Sequence, residues 1–186
     1  RDSVASRGLG DVYKRQRYHE GLWLVGGVEM VRVMAVGVFD LLHAGHLHYL
    51  EQAKHLGDHL TVVIAHDDTV RARKHEPVTS MELRSRMVMS LKPVDDVIVG
   101  NAPPSPIFSI LDKALPDIIA LGYDQDHQEE KVRSGLEAAG YGHVKVMRVK
   151  GLSDDLDGTR KIIARILDLW SARQRLDSVE SDDEGM

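Results

Sequence analysis

The sequence contains no cysteine, and this absence excludes disulfide bonds, thiolate zinc sites and a cysteine nucleophile. Aromatic residues make up only 5% of the chain, so few rings are available to stack on a planar ligand. The apolar runs are no longer than a strand, and no segment is predicted to span a membrane. Basic residues form no stripe, and the formal net charge is −5. We therefore expect neither a membrane nor a nucleic acid as partner.

Size and composition indicate one globular domain, because the 186 residues are 42% hydrophobic and 28% charged. Residues 1–29 show no sustained helical or strand period and no signal-peptide pattern, and we expect them to be a non-native or disordered extension. Residues 30–170 are predicted to form the folded domain. Residues 171–186 end in Ser-Asp-Asp-Glu-Gly-Met and are predicted to form a disordered acidic tail.

From residue 30 onward, short apolar runs alternate with amphipathic stretches. The runs predict five strands, at residues 31–38, 60–65, 94–99, 116–121 and 144–149. The amphipathic stretches predict five helices, at residues 44–56, 79–91, 106–115, 128–139 and 159–170. This alternation predicts an α/β fold with parallel strands and right-handed crossovers. In the second helix, capped by Thr79-Ser80, one stripe is predicted to face the core: Leu83, Met87 and Leu91.

The segment that follows the first strand carries the clearest chemical signal. It contains two histidines three residues apart, and its candidate ligand-binding residues are Gly37, Val38, Phe39, Asp40, His43, Ala44, Gly45 and His46. In an α/β protein this is where ligands bind, because free backbone N–H groups and the helix dipole favour an anion there. Gly37 and Gly45 let phosphate oxygens approach the backbone. The two imidazoles are predicted to lie side by side and to donate hydrogen bonds to a phosphate leaving group.

A metal site is the alternative for these histidines, because His43, His46 and His48 are close in sequence. Zinc sites usually draw their ligands from separated segments, and the sequence contains no His-Glu-x-x-His motif. We therefore predict no protein-bound metal. His48, which lies outside the motif, is predicted to be an exposed helical residue.

The strand end Gly-x-Phe-Asp followed by His-x-Gly-His resembles the signature of the cytidylyltransferase-like nucleotidyltransferase superfamily. The resemblance implies a single Rossmann-like domain, with a five-stranded parallel sheet in the order 3-2-1-4-5 and helices on both faces. It also implies that residues 30–170 are a nucleotidyltransferase domain and that His43 and His46 are catalytic. In this order the first and fourth strands are neighbours, so the segments that follow them should face one crevice.

The segment after the fourth predicted strand supplies further candidate nucleotide contacts: Gly122, Tyr123, Asp124 and Gln125. Asp124 can accept hydrogen bonds from a ribose or an adenine amino group, and an aspartate that only begins a loop turn is the alternative. Gly-Tyr-Asp-Gln after this strand is similar to the archaeal FAD synthases, which transfer AMP from ATP to FMN. That similarity covers residues 31–170, and Tyr123 is the first candidate to stack on a flavin.

The start of the last predicted helix is a candidate triphosphate site, with Thr159, Arg160 and Lys161 as its binding residues. The resembling enzymes have a hydroxyl-rich turn here, whereas this sequence has Asp157 and Gly158, which leaves open the side chain that grips the triphosphate. Val38 is a second departure, because threonine is frequent at that position.

The resemblance also implies a mobile basic residue in the loop before Pro77, and Lys74 is its best match. Lys74 is therefore the third predicted catalytic residue. Arg71 and Arg73 are assigned to the same loop, and a solvated basic loop without a catalytic role is the alternative.

The resemblance implies attack of the terminal phosphate of FMN on the α-phosphorus of ATP, with release of pyrophosphate. A divalent cation, Mg²⁺, would be held mainly by the triphosphate. Two alternatives stay open: a cytidylyltransferase acting on glycerol 3-phosphate or a similar alcohol phosphate, and a non-catalytic nucleotide sensor. ATP and FMN are the expected partners and the cytoplasm is the expected location, while a homodimer and a monomer both stay open.

Overall fold

The computed structural model describes residues 24–25, 28–73, 76–123, 129–154 and 156–183. Two short strands, β1 (Leu24–Val25) and β2 (Val28–Glu29), form an antiparallel pair. The main sheet has five parallel strands: β3 (Arg32–Gly37), β4 (His59–Ile64), β5 (Asp96–Val99), β6 (Ile118–Leu121) and β7 (Lys145–Arg148). Their order is β5-β4-β3-β6-β7, which confirms the predicted order 3-2-1-4-5. At the centre, Val33 of β3 pairs with Leu60 and Ile118 of the two neighbouring strands.

The described helices are α1 (Ala44–Lys54), α2 (Asp67–Arg73), α3 (Met81–Met89), α4 (Leu111–Ala114), α5 (Glu129–Ala138) and α6 (Thr159–Asp183). A 3-10 turn, Ile107–Ile110, leads into α4, so the helix predicted at 106–115 is divided in two. Helix α2 stands where the sequence predicts a basic loop. Its acidic first turn and basic last turn suit the helix dipole, which is the local signal for this helix.

Side chains alternate between the two faces of β3, and each face supports a separate core. On one face Val33 packs in a cluster with Leu50 of α1 and Val88 of α3. On the other face Met34 packs in a cluster with Leu136 of α5. Each fully buried aliphatic side chain of this size contributes about 1.5–3 kcal/mol. Helices therefore cover both faces, as predicted, and the loops at the carboxyl ends of the strands are left to form a site.

The buried face of α3 differs from the predicted stripe. Leu83 is 44% exposed, whereas Arg84 and Val88 are both at 0% exposure. Ser80 does cap the helix, because its hydroxyl accepts a hydrogen bond from the N–H of Leu83. The prediction is wrong for Leu83, because Arg84 takes the buried position beside it, where oxygens from other segments satisfy its guanidinium. Leu91 does pack against the core.

Helix α6 continues to Asp183, beyond residue 170, where the sequence predicts its end. Residues 171–183, predicted to be disordered, are therefore helical, and the physical reason is that residues 159–183 contain neither glycine nor proline. The β1–β2 pair lies within the segment 1–29. The origin of that segment and the boundaries of the catalytic domain stay predictions. None of the helices in the described residues combines the length and apolar character needed to cross a lipid bilayer.

Candidate active site

The turn between β3 and α1, residues 38–43, is called the motif turn below and has a strained backbone. Phe39 and Leu41 have positive φ angles of 56° and 50°, in the left-handed region that residues other than glycine rarely adopt. The Phe39 ring is buried and covers Gly37, where an added Cβ would lie 2.7 Å from a ring carbon. Such a conformation persists only where the surroundings hold it, and it is common at functional sites.

His43 and His46 lie at the start of α1 with their rings stacked. The ring centroids are 3.7 Å apart and the planes differ by 22°, which confirms the side-by-side arrangement predicted from the sequence. His43 is the N-cap residue, and its Nδ1 accepts a hydrogen bond from the N–H of His46 at 3.3 Å. In the neutral ring, Nε2 then carries the proton and is the atom able to donate to a phosphate.

The protonation of His43 depends on two opposing effects. Burial lowers the pKa of His43, and the negative charge of Asp157 raises it, with a net result below the usual 6.5 of histidine. The neutral imidazole, which keeps Nδ1 as an acceptor for the cap, is therefore favoured at neutral pH.

The carboxylate of Asp40 is engaged within the protein, where it is buried. It accepts hydrogen bonds from the N–H of Val78 at 2.6 Å, the N–H of Thr79 at 3.0 Å and the hydroxyl of Thr79 at 2.7 Å. Burial by itself would raise the pKa of Asp40, but these hydrogen bonds and the charge of Arg84 bring it below its usual value. The nucleotide contact of Asp40 stays a prediction, while its carboxylate has a structural role that the sequence did not indicate.

The first turn of α6 packs against the turn before α1, so that two helix amino termini meet. The hydroxyl of Thr159 donates to the backbone carbonyl of Asp40 at 3.2 Å. Gly45 makes room for this contact, because an added Cβ would lie 2.0 Å from the carbonyl oxygen of Asp157. Both helix amino termini direct free N–H groups and positive dipole ends to this region, which favours an anion such as a polyphosphate.

A cavity of about 470 Å³ adjoins the amino terminus of α6. It is lined by residues of three segments: Tyr123, Gly151, Leu152, Ser153, Asp154, Asp157 and Lys161. The ammonium of Lys161 lies 2.8 Å from Oδ1 of Asp157 and donates to the backbone carbonyl of Asp154 at 3.2 Å. The half-exposed ring of Tyr123 covers Gly151, where an added Cβ would lie 2.6 Å from the ring. An aromatic ring beside a cation suits a nucleoside that carries phosphates.

The structure brings some of the predicted site residues into contact. Residues 37–46 form the strained turn and the start of α1, and Thr159 contacts that turn. Tyr123 and Lys161 line one cavity, Gly122 follows β6 directly, and Arg160 is exposed at the start of α6. Three predicted site residues lie outside the described residues: Lys74, Asp124 and Gln125.

Two predictions for nearby residues are wrong. Arg71 and Arg73 lie in α2 rather than in a loop, and Arg71 forms ion pairs with Asp68 and Glu76, each at 2.9 Å. His48 is half-buried rather than exposed, and its Nε2 is buried with no hydrogen-bond partner among the described residues.

Two parts of the site carry no motif in the sequence. The segment 151–154 lines the cavity through glycine and small or polar residues that are also typical of an ordinary loop. Arg84 contacts the motif turn from α3, and the one local signal for its burial is its place four residues before buried Val88.

The carboxylates that line the cavity are those of Asp154 and Asp157. Across the described ranges, no group of three or more histidine, aspartate and glutamate side chains is arranged to hold a metal ion. These two side chains fit a divalent cation that takes most of its oxygen ligands from a bound triphosphate.

Comparison with known proteins agrees with this geometry. Residues 34–154 match the family model described as Cytidylyltransferase-like. An FAD synthase from Aciduliprofundum boonei is 47% identical over 140 residues, which cover 75% of this chain and 92% of that protein. An FAD synthase from Pyrococcus horikoshii is 40% identical over 148 residues, which cover 78% of this chain and 99% of that protein. Both resemblances seen in the sequence are confirmed.

Among solved structures, the chain is similar to the lipopolysaccharide core biosynthesis protein from Thermoplasma volcanium. The TM-score is 0.62 at 40% sequence identity, and the match covers 67% of this chain and 99% of that one. A protein with unknown function from Archaeoglobus fulgidus has a TM-score of 0.52 at 20% identity and shows the shared fold alone.

Proposed function

This chain belongs to the cytidylyltransferase-like family of nucleotidyltransferases, and we propose that it transfers AMP from ATP to FMN, giving FAD and pyrophosphate. The observation that carries the proposal is the stacked pair His43 and His46 beside two converging helix amino termini. The relatives named FAD synthase support FMN as the acceptor, because this chain spans nearly their whole length.

The reaction is a single in-line displacement. A terminal phosphate oxygen of FMN forms a bond to the α-phosphorus of ATP, and the bond from that phosphorus to the bridging oxygen breaks. The electron pair of the broken bond leaves with pyrophosphate. Because the FMN oxygen is the nucleophile, no side chain has to act as one. Because the leaving group gains negative charge in the transition state, His43 and His46 and the first N–H groups of α1 stabilise it there.

The other predicted site residues would hold the nucleotide before this step. Lys161, which lines the cavity, and Thr159 would bind the triphosphate together with the start of α6, and exposed Arg160 would add a second cation. Tyr123 and the cavity beside it would take a planar base or flavin. The roles proposed for Lys74, Gly122, Asp124 and Gln125 rest on the sequence.

A divalent cation, Mg²⁺, is proposed to accompany ATP. Asp154 and Asp157 are the carboxylates that line the cavity, and they would leave most coordination to phosphate oxygens and water. When bound, the cation neutralises charge on the triphosphate.

The test is a substrate panel. The protein is incubated with ATP or CTP, Mg²⁺, and FMN, glycerol 3-phosphate or phosphopantetheine, while pyrophosphate release and FAD are measured. We expect turnover with ATP and FMN. Turnover confined to CTP and glycerol 3-phosphate would support the cytidylyltransferase alternative, and tight nucleotide binding without turnover would support the sensor. A His43→Asn/His46→Ala double variant is the control against a contaminating enzyme.

We also propose that the chain forms a homodimer through α6. Five apolar side chains of this helix are between 40% and 61% exposed: Ile163, Ile166, Leu167, Leu169 and Trp170. A contiguous apolar face of this kind typically contacts a partner. Light scattering after size exclusion should give twice the mass of one chain, and Ile166→Glu/Trp170→Glu should halve it. A monomeric parent protein would contradict the proposal. The cytoplasmic location and the lack of nucleic-acid and membrane partners stay predictions.

A further inference from the structure

Arg84 of α3 is a buried cation that joins three separate segments at the active-site edge of the sheet. The side chain is at 0% exposure. Its guanidinium donates hydrogen bonds to four oxygens: the backbone carbonyls of Val38, Ala65 and Thr79, and the carboxylate of Asp67. The bonds to Thr79 and Ala65 measure 3.0 and 3.1 Å. Because a guanidinium is planar and presents its N–H groups in a fixed fork, these bonds fix the segments relative to one another.

Asp40 links the motif turn to the segment that contains Thr79, and Arg84 joins the same two segments. Its carboxylate accepts both the N–H and the hydroxyl of Thr79, together with the N–H of Val78. Thr79 is therefore bonded in two directions, since its carbonyl accepts from Arg84 and its hydroxyl donates to Asp40. The motif turn is therefore held at Val38 by the guanidinium of Arg84, and at Asp40 by the bonds that the Asp40 carboxylate accepts from Val78 and Thr79.

The strained part of the turn lies at these two anchors. Phe39, with a φ of 56°, stands between Val38 and Asp40, and Leu41, with a φ of 50°, follows directly. Left-handed backbone at two bulky residues relaxes when the contacts that impose it are removed. His43 begins α1 only two residues later, so the position of both imidazoles depends on how this turn is held.

We propose that Arg84 and Thr79 are positioning residues of the transfer reaction, which with Asp40 hold the strained turn so that His43 and His46 face the leaving group. The catalytic part of this inference rests on the proposed function, whereas the holding of the turn does not. The histidines act on charge that develops in the transition state, so a displaced pair lowers kcat more than it raises KM.

The central comparison is Thr79→Val against Thr79→Ser. Valine has nearly the shape of threonine but lacks the hydroxyl that donates to Asp40, whereas serine keeps it. We expect Thr79→Val to lower kcat about tenfold with KM for ATP and FMN within about twofold, since small misplacements of catalytic groups are costly. Thr79→Ser should stay within about twofold of the parent kcat. Arg84→Lys keeps the positive charge but loses the planar fork of guanidinium N–H groups, and we expect a larger loss of kcat than in Thr79→Val.

A matched control separates positioning from general stability. Val88→Ala lies on the same helix, in the core, and leaves every hydrogen bond of Arg84 in place. Assayed below its melting temperature, it should keep the parent kcat. Hydrogen–deuterium exchange supplies a readout independent of catalysis: Thr79→Val should speed exchange in residues 37–47 and 77–84 alone, and Val88→Ala should speed it across the core.

Each outcome decides one part of the inference. Parent-like kcat and parent-like exchange in Thr79→Val would overturn it, and so would an equal kcat loss in Val88→Ala. If the parent protein forms no FAD, the proposed function fails, and the local exchange pattern still shows whether Thr79 holds the turn. If Arg84→Lys does not fold, the two Thr79 variants decide alone.

Discussion

The ammonium of Lys161 lies 2.8 Å from the carboxylate of Asp157, on the wall of the cavity that both residues line. The Lys161 side chain is 53% exposed and that of Asp157 only 10%. Because the ammonium is the exposed partner of this ion pair, Lys161 is the side chain that could turn toward a bound triphosphate. Asp157, which stands where the resembling enzymes have a hydroxyl residue, therefore pairs with the lysine that is proposed to bind phosphate.

Replacing Lys161 should weaken ATP binding and leave the chemical step largely intact. We expect Lys161→Met to raise KM for ATP roughly tenfold, the size of one lost charge-assisted contact, with kcat within about threefold. The matched control is Arg165→Met, an exposed cation one helical turn further along α6, which should leave KM unchanged. An equal rise in both variants would indicate a general effect of positive charge rather than a specific contact.

The two motif histidines should act mainly on kcat. We expect His46→Ala and His43→Asn each to lower kcat roughly a hundredfold or more, because donors to the leaving group act in the transition state. Asparagine is chosen at position 43 because it can cap α1, which separates the catalytic loss from loss of the cap. His55→Ala, an exposed histidine at the other end of α1, should leave kcat unchanged. Near-parent rates in both motif variants would remove the proposed role.

Acidification should protonate Nδ1 of His43, which then no longer accepts the hydrogen bond that caps α1. The pKa of His43 lies below 6.5 in the folded protein, so the unfolded chain binds this proton more readily. Its contribution to stability is therefore present above about pH 6.5 and is lost as the pH falls through the folded pKa. The melting temperature of the parent protein should therefore fall more between pH 7.5 and pH 5.5 than that of His43→Asn. Equal losses would contradict this assignment.

Asp157 should set where that titration occurs. Because its negative charge raises the pKa of His43 against the larger effect of burial, Asp157→Asn should lower the pKa further. The measurement is an NMR titration of the His43 imidazole in the parent protein and in Asp157→Asn. A rise in the pKa of His43 in this variant would contradict the predicted sign.

The strand positions and the histidine pair were predictable because their signals are local, whereas the order of the strands was implied by the family resemblance. Five apolar runs and the turn residues between them determine which segments are strands, and the His-x-Gly-His spacing places both rings on one helical turn. Helix α6 is longer than predicted because its last residues, although polar and acidic, include no glycine or proline to end the helix.

The burial of Arg84 depends on partners outside its own helix, which the pattern along that helix does not reveal. Periodicity assigns apolar residues to the core, and an arginine becomes favourable there only when remote oxygens satisfy it. Those oxygens belong to Val38, Ala65, Asp67 and Thr79, which are up to 46 residues away in sequence. The same holds for Asp40, whose motif position suggested a ligand contact while its partners lie 38 and 39 residues later.

Gly45 should tolerate no side chain, because the backbone of Asp157 occupies that space. An added Cβ would lie 2.0 Å from the carbonyl oxygen of Asp157 and 3.0 Å from Nδ1 of His43, and backbone cannot yield as a flexible side chain does. We expect Gly45→Ala to move the start of α6 off the motif turn and to lower kcat/KM for ATP by roughly a hundredfold. Gly142→Ala, where the nearest atom is a side-chain carbon at 3.6 Å, is the matched control and should keep parent activity. Full activity in Gly45→Ala would show that α6 need not rest on this turn during catalysis.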